Sequence, residues 1–508
     1  MEKNHSFAVY TLPQAPVSVR LTSALVEHIA EGGEEVPVET IIDRSTLEEL
    51  RASLRGAAYA PGEEGYDEAR KAWNLNAHQH PAIVVMAAGA ADVIGAVRLA
   101  RDEKLGVGVM ATGHGFVSPC DGGVLINTSR MQGVRVDPEA QTARVEPGAL
   151  WTDVIPEAQV FGLSGLAGSS SVVGVVGYTM GGGFGWLGRK YGFHADSVRE
   201  ADVVNAAGEM LRVSAYEHPD LFWGLKGGGG NFGIVTSMEF ALYPLTTVYG
   251  GNLFYSLEQA GEVLDLYNRW IYTLPDEMTT AIAFMNFPPL PAVPEPLRGE
   301  KFISVRGCYC GDPAVEGEEL LGPWRAFGEP QVDTFRVMPF REMDVISMNP
   351  VDPIGAYTHV ELLGELSPES IDKLVELAGV GSESPLVSLE IRQLGGALSR
   401  PPADLSPIGR RDSRFIMYGL GFSPTPDATP EVAQRLREHL AYVAEEMRPY
   451  ETGATFVNFL VVGDWDLERT RASYSPEDWE RLVELKDRYD PNNLFRFNRN
   501  IPPSAARE

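Results

Sequence analysis

One histidine stands between two glycines in Val107-Gly108-Val109-Met110-Ala111-Thr112-Gly113-His114-Gly115-Phe116. An apolar, β-prone run ends there in a loop of small residues. Glycines let a backbone approach a bound group and aim N–H donors at it, so the loop reads as a diphosphate cradle. His114 would then meet whatever the diphosphate carries; the alternative is a surface turn with a solvated histidine. Two further glycine clusters fit the same purpose. One is Gly174-Val175-Val176-Gly177-Tyr178-Thr179-Met180-Gly181-Gly182-Gly183-Phe184-Gly185, and the other is Gly227-Gly228-Gly229-Gly230-Asn231-Phe232-Gly233. So many glycines form an exposed helix or strand only at a cost, and suit backbone packed on a large flat ligand or on other backbone. Glu390 and Arg392 flank Ile391 on one side of a strand reading, facing either a pocket or solvent. Cys308-Tyr309-Cys310 has no second Cys or His cluster at zinc spacing, so no metal site is expected.

Composition narrows the class. A chain of 508 residues predicts two or more domains. Hydrophobic residues at 44% and charged ones at 22% are ordinary for a globular enzyme. The net charge of −28, from 42 Lys+Arg against 70 Asp+Glu, argues against nucleic acid and anionic membrane surfaces. Three cysteines (Cys120, Cys308 and Cys310) do not make a disulfide scaffold. Residues 1–20 lack a basic start followed by an apolar run, and no stretch reaches the length of a membrane span. The expected location is therefore the cytoplasm.

The elements that position these residues change character along the chain. Residues 1–45 read as an N-terminal arm, with a short helix at 21–30. Thr46–Leu54 starts as a helix with Ser45 or Thr46 as cap and acids in its first turn. Strands are expected at Ile83–Met86 and Val124–Asn127, with a helix at Ala91–Glu103 between them. Val134–Pro138 and Ala143–Gly148 read as paired strands, Trp151–Ala158 as a short helix and Ile234–Phe240 as a strand. After Pro244 glycine thins out. Helices are expected at Gln259–Trp270, Glu369–Leu377 and Pro430–Met447, and strands at Thr280–Phe287, Lys301–Cys308, Leu386–Leu394 and Phe415–Leu420. From Thr455 the glycine-rich style returns, with a strand at Val457–Val462 and a helix at Pro476–Asp487.

Several G-x-G-x-x-G/A matches occur, at Gly106-x-Gly108-x-x-Ala111, Gly183-x-Gly185-x-x-Gly188 and Gly228-x-Gly230-x-x-Gly233. None follows a strand and opens a helix, so a Rossmann turn is rejected. Instead the chain resembles the flavin-linked oxidases of the vanillyl-alcohol-oxidase/p-cresol-methylhydroxylase superfamily, and within them the bacterial berberine-bridge-enzyme-like branch. The matching residues are Gly113-His114, Asp121 to Asn127, Gly174 to Gly185 with Arg189-Lys190-Tyr191-Gly192, Asp220 to Trp223 and Gly228 to Val235. In the tail they are Lys486, Tyr489 to Phe495 and Ile501-Pro502-Pro503.

This resemblance implies an α+β fold. A two-part FAD-binding domain of the p-cresol-methylhydroxylase type (46–244) would be joined to a substrate domain with an antiparallel sheet covered by helices (245–455). A C-terminal segment (456–508) would return to the FAD domain. It implies FAD bonded covalently through its 8α-methyl carbon to His114, a link that raises the flavin's potential. The second link that this branch often makes through cysteine falls at Ser170, so one link is expected, with Cys120 a structural thiol. The family's Arg-x-Gly-Gly-His is Met110-Ala111-Thr112-Gly113-His114 here. Other expected FAD contacts are Ala111, Thr112, Gly113, Gly115, Phe116, Gly168, Ser170, Gly174, Val175, Gly177, Tyr178, Ile234 and Asn498. Val175 stands where the family gates oxygen. For the substrate proton the resemblance offers Tyr474 and Tyr418, with Gly419 as an alternative register, and Tyr178 as a hydrogen-bond donor at the flavin edge. The implied activity is an FAD-dependent oxidase acting on an alcohol, sugar or secondary-metabolite C–H bond, with molecular oxygen reduced to peroxide. The alternatives are a dehydrogenase with another acceptor and a non-catalytic FAD or small-molecule binder.

Overall fold

Short apolar runs between glycine-rich turns build the first sheet. Its strands are β1 (Ala57–Tyr59), β2 (Ile83–Met86), β3 (Val107–Met110) and β4 (Val124–Asn127), in the order β1-β2-β4-β3. β4 pairs in parallel with both β2 and β3, which requires a crossover. The helix Ala90–Asp102 supplies it and buries Val93, Ala96, Val97 and Ala100. The computed structural model describes residues 42–291, 293–313, 316–401, 406–422, 430–461, 463 and 465–506. The helix expected at 21–30, and the arm up to residue 41, lie outside the described residues.

The second sheet holds β5 (Val134–Asp137), β6 (Thr142–Val145), β7 (Val198–Val204), β8 (Met210–Ser214) and β9 (Ile234–Ala241), ordered β5-β6-β9-β7-β8 and antiparallel throughout. The third is eight-stranded and antiparallel. Its principal strands are β10 (Thr247–Ser256), β11 (Met278–Asn286), β12 (Lys301–Tyr309), β13 (Ala356–Leu363), β14 (Ser388–Gln393) and β15 (Phe415–Phe422), running β10-β12-β11-β14-β15-β13. Short strands at Val332–Asp333 and Arg336–Pro339 pair with β10. One face of this sheet packs on the helices Ala260–Trp270, Pro368–Ala378 and Pro430–Met447 through Leu264, Leu374, Leu440, Leu389, Ile391 and Met417. Alternation along β14 and β15 turns Glu390, Arg392 and Tyr418 to the other face. Residues Thr40–Glu508 form one compact unit, and the later domain boundaries expected from the sequence fall inside it.

Local expectations differ from the structure where side chains compete for backbone groups. The first helix is Arg44–Ser53, capped by Asp43, whose carboxylate accepts from the Ser45 and Thr46 amides; its first turn holds no acid. The glycine-dense stretch does form a short helix, Val175–Met180. Val457–Phe459 is a single 3-10 turn, not a strand.

A buried ion pair ties the tail to the glycine-rich core. Lys486 and Asp490, on the helix Pro476–Tyr489 and at its end, are both fully buried and 2.7 Å apart. The ammonium also donates to the Asn231 and Phe495 carbonyls, each at 2.9 Å, so all three of its donors are met. Asp490 accepts from the Leu494 and Phe495 amides. Removing one partner strands the other charge in a dry interior. Lys486→Met is expected to cost about 3–5 kcal/mol and to lower the thermal midpoint by several degrees. An unchanged midpoint in a calorimetric scan would contradict this account.

Candidate functional site

The loop after β3 opens onto a cavity of about 400 Å³, within the range of ligand sites. That loop supplies Ala111, Thr112, Gly113, His114, Gly115 and Phe116 to its wall. The glycine-rich stretch contributes Gly168, Ser170, Gly174, Gly177 and Tyr178; β9 contributes Ile234 and the tail Asn498. The third sheet closes the cavity with Thr358, Arg392, Tyr418 and Leu420. Residues far apart in sequence thus share one chamber.

Two expected residues stand elsewhere. Val175 is fully buried in the core beside Trp151, with its amide bonded to the Ala149 carbonyl. Its neighbours Gly174 and Val176 line the cavity instead, so the residue expected to gate oxygen is not on the cavity wall. Tyr474 precedes the helix that Ser475 caps, which turns its ring inward against Trp479. Its hydroxyl donates to the Gly227 carbonyl at 2.9 Å, and burial pushes the phenol pKa well up. Tyr474 is a core residue outside the chamber. Gly419 also faces away, since a Cβ there would meet Leu440 of the covering helix.

His114 is held in one pose. Its ring stacks on Trp73 at 4.1 Å between centroids, and Nδ1 lies 2.8 Å from the Thr112 hydroxyl. Burial lowers its pKa to about 4, so the imidazole is neutral at neutral pH. Nε2 is buried and has no hydrogen-bond partner. Gly113 before it adopts a φ of +78°, and a Cβ there would stand 2.4 Å from that of Ala72, so only glycine fits this turn.

Among the tyrosines, Tyr178 donates to the Leu166 carbonyl at 3.0 Å, and burial raises its pKa well above the ordinary value. Tyr418 lies on β15 opposite Glu390 of β14, its ring 4.9 Å from that of Phe459. Glu390 is bridged by Arg306 and Arg392; burial would raise its pKa, but the two guanidinium groups outweigh it and hold the carboxylate charged. Cys120 lines the cavity as a neutral thiol, its pKa pushed up to about 12 by burial.

The sequence reading missed Trp73, which lies in an irregular segment far upstream of His114. It also missed Asn458, whose side chain donates to the Tyr178 carbonyl and accepts from the Gly183 amide, both at 2.8 Å. Ion-type side chains also meet outside this cavity, where His359, Glu361 and Glu451 bring ligand atoms within 4.8 Å. There Arg469 pairs with Glu361 at 2.6 Å.

These residues fit an FAD. Buried polar atoms without partners, His114 Nε2 and Asn498 Oδ1, belong to residues lining the same wall. At Gly177 no atom lies within 4 Å of where a Cβ would stand, which leaves room for a flat ring.

Comparison with known proteins agrees. The FAD binding domain family matches residues 81–214, and the berberine and berberine-like family matches residues 455–502. An FAD-linked oxidoreductase of Dictyostelium discoideum is 28% identical over 469 residues, covering 90% of this chain and 97% of the relative. The crystal structure of 6-hydroxy-D-nicotine oxidase from Arthrobacter nicotinovorans superposes with a TM-score of 0.76 at 25% identity, over 89% of this chain and 99% of the other. Berberine bridge enzyme from Eschscholzia californica shares the fold, with a TM-score of 0.75 at 21% identity over 91% and 99%. Fold, cavity and matches define an FAD-dependent oxidoreductase, an enzyme with a small-molecule substrate. Within that class the chain carries the FAD binding domain and the berberine-like domain, and its sequence is similar to FAD-linked oxidoreductases that include (R)-6-hydroxynicotine oxidase of Paenarthrobacter nicotinovorans, 27% identical over 89% of this chain and 98% of the relative. Among the described residues no helix is long and apolar enough to cross a membrane.

Proposed function

We propose that this enzyme is an oxidase joined to FAD by one covalent bond at His114. It removes a hydride from a C–H bond of an alcohol, sugar or secondary metabolite and passes the electrons to molecular oxygen, releasing peroxide. The observation that carries this reading is a neutral, stacked His114 with an unpartnered ring nitrogen, on the same cavity as Tyr418 of the third sheet. The names of similar proteins support it: nicotine, chitooligosaccharide and xylooligosaccharide oxidases all have this fold.

When bound, FAD supplies the hydride acceptor. The chain supplies placement and proton transfer. Trp73 and Thr112 orient the imidazole, whose unpartnered nitrogen would hold the flavin. Tyr418 takes the proton of the substrate O–H or N–H as the neighbouring C–H bond breaks. Tyr178, committed to the Leu166 carbonyl, shapes the wall. In domain terms, residues 46–244 and 456–508 hold the cofactor and 245–455 hold the substrate.

A screen of sugars, alkaloids and phenolic alcohols for peroxide release tests the reading. Peroxide formed in step with oxygen consumption is the expected result. Turnover with an artificial dye but never with oxygen would make the enzyme a dehydrogenase.

A further inference from the structure

The cavity wall runs against the charge of the chain. The protein carries −28, yet no aspartate or glutamate lines this cavity among the described residues, whereas Arg392 and Arg499 both do. Arg499 is committed: Nε and Nη2 donate to the Leu460 carbonyl, and Nη2 also to that of Gly115 beside His114. Arg392 is not. It is 7% exposed, its Nε is taken by Glu390, and the Phe459 ring centroid lies 5.4 Å from the guanidinium carbon. Among the described residues neither Nη1 nor Nη2 of Arg392 has a hydrogen-bond partner.

Glu390 cannot balance this charge alone. Arg392 holds its Oε1, while Arg306 holds its Oε2 from deeper in the sheet. Two guanidinium groups share one carboxylate, and the cluster keeps a net positive charge where Arg306 and Glu390 side chains are only 4% and 2% exposed. A buried charge is tolerated when a counter-ion or hydrogen bonds meet it. The free end of the Arg392 fork is the place left for one, and a planar oxyanion matches that fork with two parallel bonds.

We infer that Arg392 binds an anionic group of the substrate, a carboxylate or similar planar oxyanion, through Nη1 and Nη2. The inference rests on reading the cavity as the substrate chamber and narrows the substrate class to acids. Tyr418 and Leu420 on β15, beside β14, and Thr358 on β13, the next strand out, line the same wall, so an acid held there lies within the chamber that also contains the proposed base.

The test titrates the purified holoenzyme with benzoate and with its neutral counterpart benzamide, by calorimetry, so that binding is read independently of turnover. Flavin content is read separately from absorbance, and a colourless wild-type protein would count against the cofactor reading alone. The wild type is expected to prefer benzoate by about 10- to 100-fold, the range of a charge-assisted pair. Arg392→Gln should abolish the preference and keep its flavin, because Glu390 remains paired with Arg306. Arg392→Lys, which keeps a point charge without the fork, should retain part of it and covers a failure of the first variant to fold. A wild type that treats acid and amide alike overturns the inference. So does an undiminished preference in Arg392→Gln. Loss of flavin from both variants would assign Arg392 to an anion of the cofactor, which also overturns it.

Discussion

Acid-precipitated wild-type protein is expected to keep its yellow colour, and His114→Ala to lose it to the supernatant. About one flavin per chain should remain bound after denaturation in the parent and none in the variant, the full range of the measurement. The expectation rests on what surrounds the ring. Trp73 and Thr112 fix its plane, so the unpartnered nitrogen presents one direction to the cavity. Burial lowers the His114 pKa to about 4, and the nitrogen lone pair is free at any pH well above that. Flavin incorporation into the apoprotein should therefore hold steady from pH 8 down to about 5 and fall only as pH approaches 4. An ordinary histidine would already lose it below about 6.5. Mass spectrometry of the digested protein should place flavin on the His114 peptide. Ser170 lines the cavity where a second link would need a thiol, and Cys120 is protonated in its buried position. Flavin on the Cys120 peptide, or colour retained by His114→Ala, would refute the single link.

The cradle was legible because its signal is local. Gly113-His114-Gly115 at the end of an apolar run needs no tertiary knowledge, and its loop, Gly168, Ser170, Gly174, Gly177, Ile234 and Asn498 do share one wall. The third sheet was only half legible. β10 carries Gly250-Gly251-Asn252 at its centre, which reads as a turn; there a Cβ on Gly251 would strike Phe335. β13 carries His359 and Glu361, which look like surface residues; Glu361 is 5% exposed against the Arg469 ion pair. Side-chain direction was the least legible property. Tyr474 and Val175 sit in matching stretches, yet a cap at Ser475 and a helix starting at Val175 turn both into the core. The reverse holds for Arg392, which lines the chamber, and for Glu390 beside it, a strand charge buried between two arginines. Their partner Arg306 comes from a strand that does not pair with theirs, and no spacing rule connects them.

Tyr418→Phe should slow anaerobic flavin reduction by substrate by 10²- to 10⁴-fold, about 3–5 kcal/mol of barrier, the usual worth of a general base. Substrate binding should change little, because the ring and its contact with Phe459 stay in place. Three tyrosines competed for this role, and their hydroxyls separate them. That of Tyr474 is spent on the Gly227 carbonyl in the core, so Tyr474→Phe should cost about 1 kcal/mol of stability and leave the reduction rate within about tenfold of the parent. The Tyr178 hydroxyl is spent on the Leu166 carbonyl at the chamber wall; Tyr178→Phe should likewise stay within about tenfold. Of the three, Tyr418 combines a place on the third sheet with a position on the chamber wall, opposite Glu390. The pH profile gives a second readout. If Tyr418 accepts the proton, the rise of the reduction rate with pH should disappear in Tyr418→Phe, whereas a purely structural loss would lower the curve and keep its shape. A variant reducing at the parental rate would pass the role of base to Glu390, the carboxylate that Tyr418 faces across the strand pair.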